Sequence, residues 1–209
     1  MKIVGPKSVK PIYGQDYAPG YDIYTIKPGN AISEGIVWFQ NIDERIEYEK
    51  LLKVHGFSHV FHVVDEEWGI EASDQGIQRF RLSEYFDDPD YIVVCREPEN
   101  LLFPSVFEKN QYLESLIGRP YDIPALGLGF AAMILSRVTS LFPFWRKTPV
   151  PFHLPGARVC SSLVADGWKH TRQYSDIQLL KEWNITRIHV HKLWNGFPYK
   201  PFRYDKERE

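Results

Sequence analysis

Hydrophobic and polar positions alternate in short runs through the first half of the chain and recur at helical spacing in the second. After an irregular lead-in over residues 1–20, Asp22-Ile23-Tyr24-Thr25-Ile26 reads as a strand closed by the turn residues Lys27-Pro28-Gly29-Asn30. From Ala31 to Leu52, the apolar positions Ile36, Val37, Phe39, Ile46, Leu51 and Leu52 carry helical signals. Ser58 to Val64 is rich in β-branched residues and predicts a strand. Asp65-Glu66-Glu67 is a polar turn, and Trp68 to Ala72 returns as a second strand. Gly76 to Leu82 alternates imperfectly, and Tyr91 to Arg96 is a further strand. After Pro104 the period becomes helical, from Phe107 to Ile117, until Gly118-Arg119-Pro120-Tyr121-Asp122 breaks it. An apolar segment, 124–145, and the Pro- and Gly-rich stretch Pro149–Gly156 lead to a new helical pattern that begins at or near Cys160. Arg187 to His191 is strand-like. Strands gathered early and helices late favour an α+β fold, an antiparallel sheet packed against helices, over a βαβ parallel sheet.

Composition narrows this picture modestly. A chain of 209 residues with ordinary hydrophobic content builds one sizeable core, so a single domain over 1–209 is expected. The net charge of −2 gives no electrostatic reason to expect a nucleic-acid partner. The 13 Phe, 12 Tyr and 6 Trp suit a β-rich core and a pocket with flat apolar walls. Two cysteines, Cys95 and Cys160, are not a disulfide framework, and Cys95, inside an apolar strand, reads as core packing. Met1-Lys2-Ile3-Val4-Gly5-Pro6 lacks the apolar stretch of a secretory leader. A cytoplasmic location is therefore expected, or delivery without a leader, as for a phage or secretion-system effector. The uncharged stretch Ile123 to Ser136 is shorter than the roughly 20 residues that span a bilayer. Segment 124–145 reads as a buried or amphipathic helix, with a lid that touches membrane or lipid as the alternative. His189 and His191 share a strand face, but two ligands without a third do not predict a metal site.

Cys160 is where chemistry enters. A thiol at a helix start faces the positive end of the helix dipole, which favours the reactive thiolate. Leu163, Val164 and Trp168 fall at i+3, i+4 and i+8 and share its face, so the thiol points inward. A nucleophilic cysteine needs a base, and the base needs a third polar group to hold its tautomer. Among the seven histidines, His59 and His62 lie on the strand 58–64, on opposite faces. If Asp65-Glu66-Glu67 is a three-residue loop with Val64 opposite Trp68, Phe61 lies opposite Glu71. Glu71 is then diagonal to His59 on one face, at a backbone spacing of roughly 7–8 Å that the two side chains can bridge. A two-residue loop would reverse the parity. His59 is the candidate base, Glu71 the candidate orienter, and the first amides of the Cys160 helix a candidate part of an oxyanion hole.

Several pieces in this order resemble a known family. Tyr21-Asp22-Ile23-Tyr24-Thr25 resembles its opening Gly-Asp-Ile strand, with Tyr21 in place of the glycine. Ser58-His59-Val60 resembles the strand that carries the base, and Gly69-Ile70-Glu71-Ala72 with Gly76-Ile77 the stretch that carries the polar residue. Gly118-Arg119-Pro120-Tyr121-Asp122 resembles a Gly-x-x-Tyr-Asp element. Cys160-Ser161-Ser162-Leu163-Val164 resembles the start of the nucleophile helix, with Ser162 where Glu is usual. The family is the circularly permuted branch of NlpC-type papain-like cysteine hydrolases, YiiX/YaeF-like, with lecithin–retinol acyltransferase-like enzymes as cousins. In that branch His and the polar residue precede the cysteine, which here gives the order His59, Glu71, Cys160.

The resemblance covers about residues 20–170 and makes the long gap after Tyr121 an insertion, at about 124–155. It implies a permuted papain-like fold with the nucleophile helix near the C-terminus. It also implies a thiol amidase or peptidase acting through an acyl-enzyme, with Tyr121, Ser58 and Ser161 as substrate-binding residues and no cofactor. The implied substrate is an amide, such as a cell-wall peptide, or else a lipid ester or N-acylated small molecule. A non-catalytic binding, virion- or effector-associated protein that keeps the fold is the alternative of another class.

Overall fold

The chain is α+β. In the computed structural model, residues 10–43, 56–122, 157–182, 184, 188 and 190–200 are described, with backbone alone for 38–43 and 191. Among these, the strands β1 (Asp22–Ile26), β2 (His59–Val63), β3 (Trp68–Ser73), β4 (Gly76–Arg81) and β5 (Ile92–Arg96) form one antiparallel sheet, in the order β4-β3-β2-β1-β5. The helices are α1 (Ala31–Asp43), α2 (Ser83–Phe86), α3 (Phe103–Glu114), α4 (Cys160–Lys169), α5 (Gln178–Glu182) and α6 (Val190–Gly196). The apolar segment 124–145, the expected insertion, the Pro-rich stretch and the chain beyond 200 lie outside the described residues. No described helix is long and apolar enough to cross a membrane.

Sheet pairing explains why the early strands are so apolar. β1 is flanked by β2 and β5 and is buried at every position. Alternation then sends its side chains into two cores. On one face Tyr24, Ile26, Val60 and Val94 meet Val164, Ala165 and Trp168 of α4 and Leu193 and Trp194 of α6. On the other, Ile23, Phe61, Val63 and Phe80 meet Tyr17, Leu82 and Phe86 from the lead-in and α2. A third cluster joins Ile70, Ala72 and Ile77 to Leu113 and Leu163, which seats α3 and α4 against β3 and β4. Cys95 is partly buried against the second core, and burial raises its thiol pKa, as a packing cysteine requires.

Asp22 is the buried hub between sheet and helices. Its carboxylate accepts from His62 Nδ1 at 3.1 Å, Lys109 Nζ at 2.8 Å, Trp168 Nε1 at 2.6 Å and the Tyr199 hydroxyl at 2.8 Å. Lys109 lies 3.5 Å from the centre of the Trp168 ring, a cation–π contact within the same cluster. Burial works against both charges of the Asp22–Lys109 pair. Asp22, with its several donors, stays below the usual carboxylate range, whereas Lys109 is brought down to about 7. Strands β1 and β2, helices α3 and α4 and Tyr199, just after α6, thus share one carboxylate.

Three elements differ from the sequence reading. The helix expected after Pro104, through Phe107, begins at Phe103, because Pro104 sits in the first turn, where its missing N–H costs nothing. The strand expected over 187–191 gives way to helix from Val190, whose Val190, Leu193 and Trp194 enter the core at i, i+3 and i+4. The single turn α2 has no strong periodic signal and is set by packing of Phe86.

Candidate active site

Cys160 is the first residue of α4 and follows an extended Val159. The Ser162 hydroxyl accepts the Val159 N–H at 3.0 Å, the backward reach that a Glu or Gln makes in a capping box. An α-helix leaves its first amides without an i−4 carbonyl, so the N–H groups around Cys160 converge at the thiol end. The inward face is as the spacing predicts: Leu163, Val164 and Trp168 are fully buried, and Cys160 is 6% exposed.

The candidate base, His59, is the first residue of β2. The hairpin to β3 has the register of a three-residue loop: Val64 N–H bonds the Trp68 carbonyl at 2.9 Å, and His62 and Val63 pair with Ile70 and Gly69. Glu71 therefore falls diagonal to His59, and its Oε2 accepts from His59 Nε2 at 2.9 Å. A carboxylate only accepts, so Nε2 carries the proton and Nδ1 is left for a second partner, with Cys160 near enough to favour the charged ring. His62 projects to the opposite face, against Trp168 and Asp22.

The electrostatics follow from this geometry. Burial disfavours a charged His59, but negative charge at Cys160, the hydrogen bond to it and the Glu71 carboxylate outweigh burial and raise the ring to about 10. Glu71 is also buried, and its donors still hold it below the usual carboxylate range. His59 Nε2 and the Tyr85 hydroxyl share Oε2, and Gln78 Nε2 supplies Oε1 at 3.0 Å. The His59 side chain keeps 19% of its surface exposed, enough for a substrate to approach the ring edge.

The other predicted positions divide. Gly118 to Tyr121 runs beside β4: Ile77 N–H bonds the Arg119 carbonyl at 2.8 Å, and Gly118 N–H bonds the Ile77 carbonyl at 2.8 Å. Tyr121 then bridges to Arg158, two residues before the cysteine. Burial first, and then the charge at Cys160, raises its phenol well above the ordinary value, so it stays a protonated donor beside the site. Ser58 and Ser161 are engaged elsewhere. The Ser58 hydroxyl reaches the Thr25 carbonyl at 3.4 Å, and that of Ser161 donates to the Ile188 carbonyl at 2.7 Å; both are buried. These bonds tie the start of β2 and the start of α4 to their neighbours.

Two site residues were missed by sequence reasoning. Gln78 was within reach of it, because the two-residue turn Asp74-Gln75 places Gln78 opposite Glu71. Tyr85 had no local signal and is brought in by α2. Among the described residues no group of three or more His, Cys, Asp or Glu is placed to hold a metal ion. His189 and the His191 side chain lie outside those residues. No protein-family model, curated protein or solved structure matches this chain.

Proposed function

We propose that this protein is a cysteine hydrolase of the amidase or peptidase type, built in the permuted NlpC-like order His59, Glu71, Cys160. One observation carries the reading. A single imidazole, hydrogen-bonded through Nε2 to a buried carboxylate, also lies within electrostatic reach of a thiol at the first residue of a helix, which favours the charged ring. That arrangement has the nucleophile, base and orienter that covalent acyl transfer needs.

In the proposed reaction, Cys160 Sγ attacks the carbonyl carbon of an amide. The developing oxyanion is met by the free amides at the start of α4, with the protonated Tyr121 phenol beside them. The imidazolium of His59 gives its Nδ1 proton to the leaving nitrogen as the C–N bond breaks, and a thioester remains on Cys160. Neutral His59, still donating Nε2–H to Glu71, then takes a proton from water as its oxygen attacks the thioester. Collapse releases the acid and restores the ion pair. A cell-wall peptide is the proposed substrate. A second reading, a lipid or N-acyl substrate, is favoured by the exposed Leu102, Phe103 and Phe107 at the start of α3, of which Phe103 is 81% exposed.

Mass spectrometry tests the reading directly. Cys160 is expected to react with iodoacetamide at neutral pH far faster than a model thiol and to form an adduct of acyl mass with muropeptides or N-acyl compounds. Reactivity equal to that of a model thiol, with no acyl adduct, refutes it.

A further inference from the structure

The side chain that touches two members of the constellation without belonging to it is Tyr85. Its hydroxyl donates to Glu71 Oε2 at 2.8 Å, the oxygen that also receives His59 Nε2 at 2.9 Å. Its ring lies nearly parallel to the imidazole, 18° between planes and 5.8 Å between centres. The phenol is immobilised in turn by Phe61, Phe80 and Tyr91, whose ring centres lie 4.8, 5.4 and 4.9 Å away.

A carboxylate oxygen with one donor can swing about its own bond, and the donor swings with it. Oε2 has two donors from different elements, β2 and α2, while Oε1 is held by Gln78 from β4. Rotation of Glu71 would therefore break bonds to three elements at once. We infer that Tyr85 is a positioning residue: it locks the Glu71 carboxylate, and through it the His59 ring, so that the imidazole nitrogen not used by Glu71 is turned toward the Cys160 thiol. This rests on the hydrolase reading above and deepens it. Burial and the Glu71 charge raise the Tyr85 phenol far above its ordinary value, so the donor persists across the working pH range.

The test is the pH profile of Cys160 alkylation by iodoacetamide, for wild type and Tyr85→Phe, with thermal unfolding followed in parallel. Phenylalanine keeps the ring and its packing and removes only the hydroxyl. The lower midpoint of the profile is expected to rise by about one unit, and the rate at a pH below that midpoint to fall about tenfold, the scale of one hydrogen bond to a charged group. A purely structural tyrosine would lower the melting temperature and leave the midpoint where it was, and that result overturns the inference while leaving the hydrolase reading intact. A wild-type Cys160 that reacts no faster than a model thiol overturns both. Tyr85→Leu, which also lacks the hydroxyl, is expected to shift the midpoint by about as much as Tyr85→Phe, and an unshifted midpoint in both variants overturns the inference.

Discussion

Replacing Cys160 by alanine should release His59 from its charged state, and the size of the release measures the thiol–imidazole contact. The ring stands at about 10 against an ordinary 6.5. At about 1.4 kcal/mol per unit, this is about 5 kcal/mol in favour of the imidazolium, achieved against burial. Cys160 contributes through charge and a hydrogen bond, and Glu71 through the same two effects. Alanine removes the first partner and leaves burial and Glu71 in place, so a drop of about 1–3 units is expected. Imidazole nitrogen and proton shifts recorded by NMR across the pH range, assigned with His59→Gln, give the value directly. A His59 that titrates within about half a unit of wild type in the alanine variant would show that the thiol is not its partner, and the reasoning would fail. The same shift sets a sign for stability. A group whose pKa is raised on folding stabilises fully below its unfolded value, and that contribution is lost as pH rises through the folded one. Wild type is therefore expected to lose stability between about pH 6.5 and 10 from this residue, and Cys160→Ala to lose less.

Two further outcomes test the scaffold. Asp22→Asn leaves Lys109 buried without its counter-charge beside His62, Trp168 and Tyr199, and a loss of about 3–5 kcal/mol is expected in urea unfolding. A loss under about 1 kcal/mol would mean that the hub does not hold the nucleophile helix. Gly76→Ala combines a φ of +103° with a new Cβ 2.7 Å from the Arg119 carbonyl oxygen. Its melting temperature should fall by the equivalent of about 1–3 kcal/mol, and Tyr121 fluorescence or reactivity should change with it; an unchanged melt would refute the close approach of the 118–121 segment to β4.

Much of the site was legible because its determinants are local. Strand parity and a three-residue loop decide whether His59 and Glu71 share a face, and the register agrees with that arithmetic. The Pro- and Gly-rich stretch before Cys160 and the apolar spacing after it locate a helix start, and α4 begins there. Gln78 was legible by the same arithmetic through the next hairpin. Tyr85 was not, because a one-turn helix has no periodicity and its hydroxyl reaches Glu71 only once α2 has packed on Phe61 and Phe80. Ser58 and Ser161 are a similar case. The carbonyls that their hydroxyls meet, Thr25 and Ile188, are brought near by folding and had no local signal. The stretch 187–191 has β-branched residues that favour strand, and burial of Val190, Leu193 and Trp194 on one helical face overrode them.

By itself, then, the sequence determined the strands, the hairpin parity and the helix start that presents Cys160, since each depends on neighbours a few residues apart. The tertiary structure decided whether these parts meet. α4 is set against the sheet by Asp22, which draws its donors from residues as distant as His62, Lys109, Trp168 and Tyr199. A side chain's partners across such separations are chosen by packing, and packing is a property of the whole chain.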